Sequence, residues 1–419
     1  MLPLFDLHYI RHALNGEMPL ADLAVRPVFR GRTIQPMLTA AGILSLLIWG
    51  YLLLVRGQFW RVKASHPHKI SQLAARIAVI IPARNEADVV GQAVTSLLQA
   101  SGANTLHIFL VDDGSSDGTA QAAQDAAIAA GRPEMLTVIA GQPLPSGWSG
   151  KLWAMQQGVD RAHEFQPDFF LFTDADVVHA PEGLATLVSI AEESGYDLGS
   201  FMVKLHCKSP AEKFLIPAFV FFFFKLYPPK WVADPRHATA GAAGGCILIR
   251  PAALQNAGGI EAIRSEVIDD CALAARVKRS GGRLWLGASS AAQSIRPYGG
   301  FVEIGSMISR TGFNQLRHSA LLLVLAVVGM AMTYLLPPAL VFFSHSKLPV
   351  ALGAAAWLLM ALSFLPVLRL YRLLPFWGLA LPLIAVFYMG ATIHSAYKYW
   401  SGRGGEWKGR VQDPLRNQH

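Results

Sequence analysis

Cysteine is scarce in this chain. Only Cys207, Cys246 and Cys271 occur in 419 residues, widely spaced and without a C-x-x-C pair. That excludes a disulfide framework and a cysteine-based metal site, and it suits a reducing compartment. Charge is also scarce, at 15% of residues against 53% hydrophobic. This is too apolar for an ordinary soluble protein and too polar for a pure membrane bundle, so one soluble domain joined to membrane spans is the first expectation. No dense basic run with interleaved aromatics is present. The net charge of +8 therefore argues for positive membrane flanks and contact with anionic lipid, and against a nucleic-acid partner. A P-loop is missing as well: ahead of Lys151, Pro145 stands where its first glycine belongs, and Leu152 replaces the Ser/Thr.

What is present falls into blocks. Residues 1–36 are a mixed N-terminal segment. Residues 37–55 carry no charge and would cover roughly 28 Å as a helix, enough for a hydrocarbon core of roughly 30 Å. A transmembrane helix is the expectation there, since no small-residue cleavage site precedes Arg56 and Arg61. Residues 56–75 read as a basic linker. From residue 76 to 300 the pattern alternates between strand and helix. Ile77–Ile81, Leu106–Val111, Leu136–Ala140 and Phe169–Thr173 are apolar runs of strand length. Helices are expected over Ala87–Ala100, Asp117–Ala130 and Lys151–His163. This alternation argues for an α/β domain with a parallel sheet and helices on both faces. Residues 214–227 hold a Phe-rich run too short to span a bilayer. A buried core helix is one reading; an amphipathic segment in the membrane interface is the one taken. Residues 301–319 are expected as a linker or interface helix. Residues 320–393 hold three apolar stretches, expected as membrane helices, with the Pro337-Pro338 pair able to kink the first. Residues 394–419 are a polar, basic tail, whose charge prefers the cytoplasmic side.

Chemistry gathers at the strand ends. Asp174 and Asp176 follow the Phe169–Thr173 strand directly, where open α/β sheets bind ligands, and they are close enough to share one hard cation on a diphosphate. An acidic turn is the plainer alternative. Pro82, Ala83, Arg84 and Glu86 follow the first strand. Asp112 and Asp113 end the second, ahead of Gly114, Asp117, Gly118 and Thr119. A turn and a cap explain Gly118 and Thr119; they leave the two acids unexplained. Lys151 could meet a phosphate. Asp269 and Asp270 open a helix, where acids complement the dipole but could also supply a general base.

VIIPARNE, LVDDGSSDGT, GKLWAMQQG, FTDAD and IDDCALAARVKRSGG resemble, in order and spacing, the family 2 glycosyltransferases over roughly Arg76 to Pro297. The segments PLPSGWSGKLWA, FLIPAFVFFFFKLYPP and TAGAAGGCILIR look like the membrane-bound, hopanoid-associated HpnB type. The resemblance implies a GT-A fold, a Rossmann-like mixed sheet with helices on both faces, joined to transmembrane helices. It implies that Pro82, Ala83, Arg84, Glu86, Asp112 and Asp113 serve the nucleoside end, that Lys151 and Asp174 lie near the donor sugar, and that Asp176, with Asp174, ligates Mg²⁺ or Mn²⁺. Asp270 would be the catalytic base, with Asp269 beside it, where the family more often has Glu-Asp. The Q-x-x-R-W motif of processive synthases is not matched by the segment Asn314 to His318, which favours a single transfer. The implied reaction is inverting transfer of one sugar from a nucleotide sugar, taken as a UDP-sugar, to a lipid hydroxyl, a hopanoid by resemblance. The implied place is the cytoplasmic face of a bacterial inner membrane. A polyprenyl phosphate or carotenoid acceptor, or a non-catalytic scaffold, is the alternative.

Overall fold

The computed structural model describes residues 31–63, 75–100 and 105–402, with the backbone of 406–407 and 410–411. Most of the expected N-terminal segment, most of the basic linker and the end of the basic tail lie outside the described residues. In chain order the elements are α1 (Gly31–Leu54), β1 (Arg76–Ala83), α2 (Ala87–Gln99), β2 (Thr105–Asp112), α3 (Thr119–Ala129), β3 (Leu136–Ala140), α4 (Gly150–Ala162), β4 (Phe169–Thr173), β5 (Val177–His179) and α5 (Pro181–Ser194). They continue with β6 (Leu198–Lys204), α6 (Pro210–Leu226), β7 (Cys246–Ile249), α7 (Asp269–Arg279), β8 (Leu284–Ser294) and α8 (Phe301–Thr311). The last three helices are α9 (Ala320–Phe343), α10 (Lys347–Leu370) and α11 (Leu381–Trp400).

The strands form one eight-stranded sheet in the order β3-β2-β1-β4-β7-β6-β8-β5. The first four are parallel, as the strand–helix alternation implies. The far half is not: β7 runs antiparallel to both β4 and β6, and β5 antiparallel to β8. The sheet is therefore mixed. β4 is buried at all five positions and β1 at seven of eight, as expected of central strands covered on both faces. The apolar stripe of α2 is Val89, Val90, Ala93, Val94, Leu97 and Leu98, and all six are buried. Helix α4 lies unusually close to the sheet. A Cβ at Gly158 would stand 2.6 Å from Ile80 Cγ2, so only glycine allows this approach.

Helix α6 holds most of the Phe-rich run, residues 214–227, expected as an interfacial segment. Leu215, Ile216, Val220, Phe221 and Phe224 are buried, against α10 and its neighbours. Burial of each such side chain away from water is worth about 1.5–3 kcal/mol. Phe221 meets Phe59 and Phe364 edge-on. The helix starts with a capping box: the Ser209 hydroxyl accepts from Glu212 N, and the Glu212 carboxylate accepts from Ser209 N.

Glu212 does more than cap. It is fully buried and also accepts from Lys208 N at 2.8 Å and Tyr298 N at 2.9 Å, with His206 Nδ1 at 2.7 Å. Burial alone would raise its pKa. The donors from Tyr298, His206, Ser209 and Lys208 outweigh that and hold it down at about 2.

Four helices are long and apolar enough to cross a membrane: 34–54 within α1, α9, α10, and 375–400 ending in α11. The first of these packs along α10, and its Trp49 is fully buried. The Pro337-Pro338 pair does break α9, through a π-helical turn at Ala331–Leu335. Pro337 has no N–H for the carbonyl of Thr333, four residues back. Trp49 Nε1 donates to that carbonyl at 3.0 Å. The last helix runs to Trp400, beyond the tail boundary expected at 394. Hydropathy falls there, but packing does not: Ser395 Oγ accepts from Phe313 N, Ala396 is buried, and Tyr399 stacks on His318.

Glu212→Gln should lower stability by about 2–4 kcal/mol, because the new amide would face backbone donors. Denaturant titration of the detergent-solubilised protein measures this. The carboxylate's folded pKa is depressed, so its stabilisation is present above pH 4.5 and is lost as pH falls toward 2. A variant matching the wild type in both respects would contradict the assignment.

Candidate active site

The loops after β1 and β2 are stitched together by their own polar side chains. Asn85 N donates to Ser115 Oγ at 2.9 Å, Glu86 N to Thr119 Oγ1 at 2.8 Å and Ala87 N to Asp117 Oδ2 at 3.0 Å. Ser116 N returns a bond to Asn85 Oδ1 at 3.0 Å. Asp112 closes its own turn, accepting from Ser115 N at 2.9 Å. Asp113 is buried. It pairs with Arg84 at 3.5 Å, and its N–H donates to the Ala83 carbonyl at 2.9 Å. Pro82 and Ala83 complete the strand end below these loops. This corner is a rigid, polar shelf at the C-terminal edge of the parallel strands.

Beside the shelf lies the cluster of opposite charge. Lys151 sits in the first turn of α4, a helix capped by Ser149, whose hydroxyl accepts from Leu152 N. Its ammonium lies 3.2 Å from Asp174 Oδ1 and 3.3 Å from Asp269 Oδ2. Asp270, next to Asp269 on the first turn of α7, accepts from Gly244 N at 2.8 Å and Cys271 N at 2.7 Å. Acids from two distant stretches are thus gathered round one cation. The space among them is small, about 10 Å³, room for about one water, and Asp174 on its rim is exposed.

The cluster sets its own protonation. Burial pushes the Asp270 carboxyl up, Asp269 pushes it further, and Lys151 with the two N–H groups pulls it back, leaving it at about 6. Burial would lower the pKa of Lys151, but Asp174, Asp269 and Asp270 outweigh it, so the ammonium stays charged. A buried carboxylate poised near neutrality is suited to proton transfer. A Cβ at Gly244 would come 3.3 Å from Asp270 Oδ2 and 3.5 Å from Lys151 Nζ, so glycine keeps this wall thin.

Asp176 does not join Asp174 on Lys151. Its Oδ2 accepts from Ser294 Oγ at 2.7 Å and lies 3.6 Å from Arg296 Nε. Arg296 also pairs with Glu86. The two carboxylates expected to share one cation are therefore matched to different side-chain cations. Among the described residues, no three His, Cys, Asp or Glu side chains converge as a metal-ligand group. Like charges at one sheet edge repel, and a basic side chain beside each relieves it. Arg296, Ser294 and Gly244 join the site without having been expected from the sequence. Ser294 ends β8 and Arg296 lies just past it, and β8 meets β5 only through sheet pairing (Val177 opposite Ser294). No local pattern marks them. Gly244 had a signal, the Gly-Gly pair before a short apolar run. Tyr227, just past the end of α6, donates its hydroxyl to Gln315 Oε1 at 3.0 Å.

Residues 78–256 match the family model for Glycosyl transferase family 2. Among solved structures the chain is similar to the mannosyltransferase PcManGT from Pyrobaculum calidifontis in complex with GDP-Man and Mn²⁺. That likeness has 17% identity and a TM-score of 0.51, and covers 87% of this chain and 99% of that one. At such identity it speaks for the fold alone. Weaker likenesses include S. aureus TarS 1–349 in complex with UDP (15% identity, TM-score 0.37, 78% and 92% covered). Another is glucosyl-3-phosphoglycerate synthase from Mycobacterium tuberculosis with Mg²⁺ and UDP (18% identity, TM-score 0.38, 59% and 82% covered). No curated protein matches the chain. The family 2 match over residues 78–256, on a mixed sheet with paired acids at its strand ends, supports reading that stretch as a glycosyltransferase domain and the protein as a glycosyltransferase.

Proposed function

We propose that this glycosyltransferase is a membrane-bound inverting enzyme that moves one sugar from a nucleotide sugar to a lipid hydroxyl. The observation that carries the reading is the meeting of Asp174 with Asp269 and Asp270 around Lys151. It puts an acid suited to the donor and a buried acid of raised pKa in one site. The shelf formed by Arg84, Asp113 and their loop would take the nucleoside, a uridine by the resemblance in the motifs.

Asp270 takes the proton of the acceptor hydroxyl. The freed oxygen pair forms the bond to C1 of the sugar from the face opposite the diphosphate. The C1–O bond breaks, and the nucleoside diphosphate leaves with its electron pair. Lys151 would balance the negative charge that gathers on the leaving group. Asp174 and Asp176 offer hard oxygens one residue apart, a donor set that fits Mg²⁺ or Mn²⁺ held by one or two carboxylates with phosphate oxygens completing the shell. Such an ion, when bound, would neutralise the departing diphosphate.

Four long apolar helices, with exposed Leu47, Leu321, Phe343 and Leu383 among their side chains, support a bilayer setting and a lipid acceptor. The cytoplasmic face of a bacterial inner membrane fits the basic stretch Arg56, Arg61 and Lys63 after the first span, while three spans after the catalytic domain put the basic tail on the opposite side. The motif resemblance to HpnB-type enzymes names a hopanoid as that lipid. A polyprenyl phosphate is favoured by a different observation. A cleft of about 760 Å³ beside Asp176 is lined by Lys204, Lys208, Arg296 and, past the end of α10, Tyr371. Purified enzyme offered each acceptor with a radiolabelled donor separates the two.

Asp270→Asn should abolish transfer, a loss of at least about 10³-fold, while nucleotide binding by calorimetry stays within about twofold. Equal loss of both would refute the base role. Because the carboxyl is raised to about 6, kcat/KM should rise with pH through that value. Lys151→Met removes a charge that holds the Asp270 pKa down, so this acidic limb should move to higher pH; an unmoved limb would exclude the coupling.

A further inference from the structure

Arg296 lies just past the end of β8 and reaches carboxylates from two other loops. Its guanidinium pairs with Glu86, after β1, and with Asp176 Oδ2, after β4. Ser294 Oγ donates to the same Oδ2 at 2.7 Å, and Ile295 N donates to the Asp176 carbonyl at 2.9 Å. Side chain and backbone of Asp176 are thus both held by one short stretch, Ser294 to Arg296. The Arg296 side chain is 35% exposed and that of Asp176 only 18%, so water screens their attraction incompletely.

We propose that Arg296 is a positioning residue that holds Asp176 in the free enzyme and yields it to a divalent cation only when that cation arrives with a nucleoside diphosphate. This rests on the metal-assisted glycosyltransferase reading above. A dication approaching Asp176 alone meets the guanidinium on the same oxygen. Either the two positive charges stay close, or Arg296 gives up one of its two carboxylates with nothing in exchange. A dication that brings a diphosphate supplies the exchange. The phosphate oxygens replace Asp176 as the partner of the guanidinium, while Glu86 keeps the side chain anchored. Lys151 stands in the same relation to Asp174 on the other side of the pair. Both acids of the D-x-D motif are neutralised by side chains beforehand. Metal and diphosphate together nearly preserve that charge balance, whereas either alone upsets it. Binding of the two is therefore coupled, and by linkage each tightens the other equally.

The test is Mn²⁺ binding to the full-length protein in detergent, read from the free-ion electron paramagnetic resonance signal, with and without UDP or GDP. In the wild type the nucleotide should tighten Mn²⁺ by at least about tenfold beyond its own chelation, within the usual range of coupling between sites. Arg296→Met should bind Mn²⁺ alone about fivefold to tenfold tighter than the wild type, and the coupling should shrink by the same factor. Arg296→Gln keeps a hydrogen-bond donor without the charge and should behave likewise, which guards against a folding defect in either variant. Ser294→Ala leaves the charge pair in place and should alter the coupling by less than about twofold. Equal Mn²⁺ affinity of wild type and both Arg296 variants without nucleotide overturns the proposal and leaves the metal reading standing. No Mn²⁺ uptake by any variant, even with nucleotide, overturns both.

Discussion

One ammonium group organises the catalytic corner. Lys151 stands between Asp174, delivered by β4, and Asp269, delivered by α7, with Asp270 close behind. Without a cation there, three acids in a partly dry space would have to protonate or move apart. The position of the ammonium is inherited from a chain of simpler causes. Ser149 starts α4 at a fixed point. Gly158 then lets that helix lie flat on Ile80, which sets the height of its first turn above the strand ends. A packing requirement two turns away along the helix thus fixes an electrostatic one.

The same sheet serves two surroundings through two cores. On one face Ile77, Val79, Val90, Leu97 and Leu187 form a core typical of a soluble α/β domain. On the other, Ile80, Phe170 and Phe172 are continuous with Phe221, Phe364 and Tyr388, and so with the long apolar helices. The high hydrophobic content of the chain is explained by this second core. No polar layer insulates the catalytic sheet from the helix bundle, so displacement of either is felt by the other through close-packed side chains.

The sequence was most legible where structure is local. β3 and β4 were readable to the residue, and α2, α4 and α7 to within one or two, because each carries its own periodicity or capping pattern. The far half of the sheet was not readable. β5 has three residues and β7 four, and β8 ends in GASSAAQS, small residues without strand preference. Their places are set by partners distant in sequence. The site divides the same way. The acids announce themselves at strand ends and at a helix start. Arg296, which neutralises one of them, is marked by nothing nearby. The Phe-rich run defied a reading from composition, since hydropathy measures what a segment avoids and not whether lipid or protein surrounds it.

The bond from Trp49 to the Thr333 carbonyl has a consequence for how the molecule is made. Its donor lies in the first long helix and its acceptor in the second, separated by the whole catalytic domain. While the chain emerges from the ribosome, the indole N–H has no such acceptor until α9 has followed. The broken turn of α9, in its time, needs a donor made long before. The Phe-lined face of the sheet is thus completed by helices that come last in the chain.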